Sequence, residues 1–489
     1  MRIAGLPKSG TSTSRDAIKP RRNRQIAEAE LQPLRREQDA SLSLLLDEHT
    51  VRDLEIFTHQ GSGSSLYEAC NFTRTRGGGE LLKQRMRTPW CDASSIRSTQ
   101  QSLRFILSQR PAFNKLPSWI TQGVEKYQRD VLLLVTQTNA LEFLIASLSL
   151  RINHERHYRN ILRGVQIAAT VIRETRLFAN QSALDSATGE LALLLGELRI
   201  LLNRPGMQAI PETEIESTWS WKILKYDQIF RFHEKRTLLR ILQIIYEIDA
   251  LLSMADASKA MNLSFPEVSE GTVKVSAEAL WHPLLADAVA NPVQLDQSRR
   301  VLFLTGPNMA GKTTYIRSFA IALYLAQLGM GVPARRFRFS PVQRLFSSIS
   351  LNDDLHSGIS YFRAEALRIK AVAEAVAAGY RIAAVMDEPF KGTNVKDAFD
   401  VSLEVLKRLA GKDNCIFLFS SHLIELEEKF NEQDAICLHH FEAQENNGRL
   451  MFDFLLRPGV SSQRLGVRVL REEGVFDILD LPGSQNLPC

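Results

Sequence analysis

Cysteine is scarce in this chain, and the five present (Cys70, Cys91, Cys415, Cys437 and Cys489) never form a C-x-x-C pair. This spacing argues against a structural zinc site and a disulfide framework, so a reduced compartment, the cytoplasm, suits the chain. Long apolar runs are missing too. The most apolar stretch, residues 319–334, is interrupted by Gln327 and by glycine and proline, then stopped by Arg335-Arg336. It is expected to pack inside a domain rather than cross a bilayer. No secretory signal is expected, and no internal repeat is evident. The body also lacks charge of one sign. Residues 1–27 hold seven basic residues (Arg2, Lys8, Arg15, Lys19, Arg21, Arg22, Arg24) against Asp16 alone, a surplus of six, whereas the whole chain is +5. The rest is therefore close to neutral, and any grip on nucleic acid must come from local patches or from the tail. Three readings stand for this Ser/Thr/Gly/Pro-rich basic tail: a nucleic-acid arm, an organelle transit sequence, or an extension upstream of the true start.

What is present is concentrated in the second half. Residues 301–304 form an apolar run leading into Gly306-Pro307-Asn308-Met309-Ala310-Gly311-Lys312-Thr313-Thr314, the spacing of a nucleotide-triphosphate loop. Gly306 and Gly311 let the backbone turn so that N–H groups face the phosphates, Lys312 adds a positive charge, and Thr313 supplies a hydroxyl for Mg²⁺. An expected strand before the motif and helix after it complete the arrangement that ATP binding requires. Downstream, the apolar run 382–386 ends in Asp387-Glu388, placing two carboxylates at a strand end. Asp387 is expected to hold Mg²⁺ through water and Glu388 to polarise the attacking water. A third run, 415–419, ends in Ser420-Ser421-His422, from which His422 could reach a γ-phosphate.

Taken together, residues 305–313, 352–362 (Asn-Asp-Asp-Leu-His-Ser-Gly-Ile-Ser-Tyr-Phe), 386–394 (Met-Asp-Glu-Pro-Phe-Lys-Gly-Thr-Asn) and 420–422 resemble the ATPase of the MutS mismatch-repair family. Residues 46–55, 73–82, 281–283 and 459–466 extend the resemblance over 46–489. It implies an ABC-like, dimeric ATPase in which a serine of one subunit completes the other's site; the matching position is Ser360. It also implies DNA as partner. The family's mismatch-reading domain is not expected, since about 45 residues precede the core, and residues 46–269 are short for a core, lever helices and DNA clamp together, so the clamp is expected to be absent or vestigial. No C-terminal nuclease module is expected. Pro389-Phe390-Lys391 stands where repair members carry Ile-Gly-Arg.

Residues 46–269 read as helical. Ile241, Ile244, Ile245, Ile248, Leu251, Leu252 and Ala255 define one apolar face of a helix over 234–259. Leu191, Leu194, Leu195, Leu198 and Leu202 define another, stopped by Pro205-Gly206. Trp219 and Trp221 interleave with Lys222, Lys225, Tyr226, Phe230 and Arg231, a pattern that suits core packing or, alternatively, a nucleic-acid stacking surface. Strands are expected over 301–305, 345–349, 382–387 and 415–420, with helices on both faces. A hairpin is expected between 435–441 and 449–454 around Asn446-Asn447-Gly448. The end, 465–479, should be helical and face a partner.

The expected organisation is a disordered basic tail (1–45), an all-α core and lever domain (46–269), and an α/β P-loop ATPase domain with a helical C-terminal dimerisation segment (270–489). The expected activity is ATP hydrolysis with Mg²⁺ by a homodimer that closes helical arms around DNA, responding to DNA structure rather than mismatches, in repair or recombination. The alternative is a nucleotide-gated scaffold working through protein partners without gripping DNA. A transporter subunit is disfavoured because Leu-Ser-Gly-Gly-Gln is absent.

Overall fold

The computed structural model describes residues 43–59, 63–130, 134–215, 221–349, 361–431, 434–446, 449–461, 463, 468, 470–471 and 473–479. Residues 1–42 of the tail, Trp219, residues 350–360 with Ser360, and most of 462–472 lie outside these; residues 43–45, expected in the tail, are described and bridge Trp90 and Arg344.

The first half is helical: α1 (Glu48–Asp53), α2 (Arg76–Arg87), α3 (Ala93–Ser108), α4 (Ala140–Asn153), α5 (Glu155–Ala179), α6 (Gly189–Leu202), α7 (Lys222–Gln228) and α8 (Lys235–Ala260). The expected apolar faces are buried, with Leu191, Leu194, Leu195 and Leu198 on α6 and Ile241, Ile244, Ile245 and Ile248 on α8 at 0–1% exposure. α8 is buried on nearly every side because α2, α3 and α6 all pack against it. Its fully buried carboxylate, Asp249, accepts the backbone N–H groups of Arg74 and Thr75 and the Thr75 hydroxyl. Thr75 Oγ1 in turn accepts Gly78 N at 2.8 Å and caps α2. A side chain at position 78 would put a Cβ 2.3 Å from Asp249 Oδ2, so this close approach requires glycine there.

The aromatic and basic cluster at 221–231 is packing rather than a stacking surface. Trp221 stacks on Phe143 with ring centroids 6.3 Å apart, Phe230 is fully buried, and Arg231 pairs with buried Asp227.

The second half holds two larger sheets and a hairpin. One sheet has the order β1 (Glu267–Val268), β5 (Ala334–Phe339), β2 (Val275–Leu280), β3 (Asn291–Leu295). The other runs β12 (Arg457–Pro458), β9 (Ile436–His440), β4 (Val301–Thr305), β8 (Cys415–Ser420), β7 (Ile382–Asp387), β6 (Arg344–Ser348), parallel except for β12. Its central strands are apolar throughout because both faces are covered. Leu302 and Leu304 share one core with α9 (Lys312–Gln327); Val301 and Phe303 face a second core with α10 (Tyr361–Ala377) and α11 (Val395–Ala410).

The expected hairpin is corrected. Residues 436–440 do not pair with 449–454 but join the large sheet in parallel beside β4, whose buried backbone edge would otherwise leave its N–H and C=O groups unpaired. The hairpin is instead β10 (Ala443–Asn446) against β11 (Arg449–Phe452), with Asn446 opposite Arg449.

The two halves share buried polar contacts. Tyr324 of α9 donates its hydroxyl to Met86 O at 2.6 Å, and Gln327 Nε2 donates to Trp90 O and Val342 O. α1 is clasped to both β6 and α10. Asp53 accepts Ser347 Oγ at 2.8 Å and Ile349 N at 2.7 Å, while Arg368 donates to Ser347 O, Thr50 Oγ1 and Asp47. No helix among the described residues is long and apolar enough to cross a membrane.

Candidate functional site

The carboxyl ends of β4, β7 and β8 lie side by side, so the segments that follow them meet at one edge of the sheet. After β4 the chain turns through Gly306 (φ +137°), Met309 (φ +68°) and Gly311 (φ +100°) into the amino end of α9. The first glycine is required twice over. Its φ is hostile to other residues, and a Cβ would lie 2.7 Å from Phe441 O. Pro307 and Ala310 are buried beneath the loop, whereas Asn308, Met309, Thr313 and Thr314 are exposed at its surface.

Lys312 is 4% exposed, and its ammonium is folded back on the loop, donating to Gly306 O at 2.9 Å and Pro307 O at 3.2 Å. Glu388 Oε1 is 3.3 Å away. Burial lowers the Lys312 pKa, while Glu388 and Asp387 oppose the shift. Thr313 Oγ1 donates to Asp387 Oδ2 at 2.5 Å, and the other carboxylate oxygen of Asp387 accepts the Ser420 hydroxyl.

Glu388 sits just past β7 with φ +48°, held there by Ser420, whose Oγ accepts Glu388 N at 2.9 Å. Its carboxylate meets three nitrogen groups: the His422 Nε2 at 2.7 Å and the Lys312 ammonium on Oε1, and the Lys391 ammonium at 2.6 Å on Oε2. Burial pushes the Glu388 carboxyl up. The hydrogen bonds from His422 and Lys391, with the charges of His422 and Lys312, outweigh it and hold the group well below the usual carboxylate range.

Two clefts flank the loop. One, of about 350 Å³, is walled by Leu285, Val289, Phe441 and Phe454 and reaches Lys312 and Thr313. The other, of about 580 Å³, lies between the loop, His422 and Phe452.

The structure therefore brings together the loop 306–314, Asp387, Glu388 and His422. Ser360 lies outside the described residues. Sequence reasoning gave no role to Ser420, although it stands in the quoted Ser-Ser-His run at the strand position next to Asp387. It noted Lys391 only as a departure. Phe441 and Phe454 carry no local signal, because they arrive from strands more than 100 positions downstream of the loop.

The chemistry of this donor set suits a nucleotide with Mg²⁺. A threonine hydroxyl and a carboxylate in contact are hard oxygen ligands of the kind that hold Mg²⁺ together with phosphate oxygens and water. The buried lysine at a helix amino end supplies positive potential to an anion.

The family model for MutS domain III matches residues 49–255, covering most of the helical half, and that for MutS domain V matches residues 302–479, covering the large sheet and the site. With both halves matched in this order, the chain belongs to the MutS family.

Proposed function

We propose that the protein is an ATP-hydrolysing, DNA-binding member of this family that works as a homodimer. One observation carries the ATPase reading: Lys312, Thr313, Asp387, Glu388 and His422 converge from three adjacent parallel strands onto one edge. Residues 306–314 would wrap the phosphates, with Lys312 leaving its carbonyl partners for the β- and γ-phosphate oxygens. Thr313 and Asp387 would hold Mg²⁺, which supplies charge neutralisation at the phosphates. Glu388 would accept the proton of the attacking water, and His422 would report the γ-phosphate. The adenine ring would lie in the cleft of Leu285, Val289, Phe441 and Phe454. Ser360 from the second copy would cover the far side of the γ-phosphate. In this reading residues 270–489 form the ABC-like P-loop ATPase domain, and 46–269 the core and lever domain.

The DNA-binding reading rests on family membership and on the outer face of α5, where Arg156, Arg159 and Arg163 are exposed at helical spacing. Such a face contacts phosphates and reads shape more than sequence.

The test is phosphate release from Mg-ATP by the purified chain, with and without duplex and branched DNA, together with DNA affinity as a function of salt. Turnover that persists in excess EDTA would remove the Mg²⁺-ATPase reading. A flat salt dependence would remove the phosphate-contact reading and favour a scaffold.

A further inference from the structure

Helix α4 is apolar on two sides. Phe143, Ser147 and Leu150 are buried, and the helix packs on α5 and α7. The opposite side carries Leu141, Leu144, Ile145, Leu148 and Ile152, exposed by 66, 38, 50, 38 and 79%. A helix at the surface of a soluble domain ordinarily turns polar residues outward, and one that is apolar all round is covered.

The spacing 141, 145, 148, 152 is the four-three-four seam of a helix that packs along another helix. The seam is also symmetric about the point between residues 146 and 147. Leu141 and Ile152 are equidistant from that point, and Ile145 and Leu148 likewise. An antiparallel second α4 would lay Leu141 on Ile152 and Ile145 on Leu148. This is the self-complementary pattern of a two-fold axis.

We propose that the outer face of α4 docks on the same face of a second copy of this chain, joining the two helical arms. The inference rests on the dimeric reading above and adds a contact remote from the nucleotide. A DNA backbone offers nothing to an apolar stripe, so the stripe is not part of the phosphate-contacting surface. Five side chains fall short of the ~800 Å² per partner of a stand-alone interface. The contact therefore forms between copies already tethered through their ATPase halves, where effective concentration is high.

The experiment uses the full chain with a non-hydrolysable ATP analogue. Size-tagged Ile145→Cys chains are mixed with untagged Leu148→Cys chains and mildly oxidised. Both positions are exposed, so neither change disturbs the core. The mixed disulfide should form about fivefold or more above either variant alone, as tethering predicts. Adding Ile152→Asp to both chains should return it to background. Sedimentation run in parallel separates the two levels. A dimer without the mixed disulfide overturns the α4 contact and leaves the dimeric reading standing, whereas a monomer under every nucleotide overturns both. Two further outcomes overturn the proposal. Slow labelling of the Ile145→Cys thiol in the monomer would mean that a segment of the same chain covers the stripe. Binding to anionic vesicles that Ile152→Asp abolishes would mean that a lipid surface does.

Discussion

Lys391 Nζ lies 2.6 Å from Glu388 Oε2, so the carboxylate proposed to activate water is already engaged by a cation three residues along its own loop. Glu365 fixes that loop by accepting the backbone N–H of Lys391 at 3.1 Å. A neighbouring cation lowers the basicity of a carboxylate. Lys391→Met should therefore raise the Glu388 pKa. Because the base must be ionised, the acid limb of the kcat–pH profile should move to higher pH. An unmoved limb would mean that Lys391 releases Glu388 before the chemical step.

Removing the base and removing the phosphate lysine should separate cleanly. Glu388→Gln keeps a side chain of the same shape and is expected to bind Mg-ATP with near-normal affinity while losing roughly two orders of magnitude or more in turnover. Lys312→Ala should weaken binding itself. Fluorescent-nucleotide titration beside phosphate release distinguishes the two, and normal turnover in Glu388→Gln would remove Glu388 from the mechanism.

Shared sites predict complementation. Ser360→Ala and Lys312→Ala should each be inactive as homodimers, yet a mixture should regain turnover, because a mixed dimer carries one intact site. If the mixture stays as inactive as its parents while subunits demonstrably exchange, Ser360 does not act across the interface.

His282, in the wall of the smaller cleft, gives a pH signature. It is 8% exposed, and burial, helped by Arg317, lowers its pKa from 6.5 to about 4. The folded state thus binds fewer protons than the unfolded state between these values. Its contribution is fully present above pH 6.5 and is lost as pH falls towards 4, by up to about 3 kcal/mol. Denaturant titrations should show wild type losing more stability than His282→Gln across that interval. Parallel losses would place the proton elsewhere.

The elements that were legible in sequence are those whose own residues dictate them. Residues 301–304, 382–386 and 415–419 are uninterrupted apolar runs, and each forms a central strand that ends one residue later, at Thr305, Asp387 and Ser420. The α8 face repeats at helical spacing over 26 residues, and its observed bounds differ by one position at each end. The sheet β1-β5-β2-β3 was not anticipated. In β5 Ala334, Phe337 and Phe339 are buried and Arg335, Arg336 and Arg338 exposed, whereas in sequence Arg335-Arg336 reads only as the stop of the apolar stretch 319–334. The pairing of 436–440 was misread because a local turn signal says which strands reverse but not that a distant strand, β4, offers a better partner. At the site, residues fixed by the loop motif and by strand ends were visible. The second wall of the cleft, Phe441 and Phe454, exists only through tertiary pairing.

The clasp of Arg368 and Asp53 on α1, with the Tyr324 and Gln327 bonds into the helical half, has a thermodynamic meaning. The amides of α2 and α8 belong to the same apolar core as α9, so they cannot open without exposing the underside of the nucleotide loop. A ligand gripped by Lys312 should therefore slow hydrogen exchange deep in the helical half, and heat should melt both halves in a single cooperative transition.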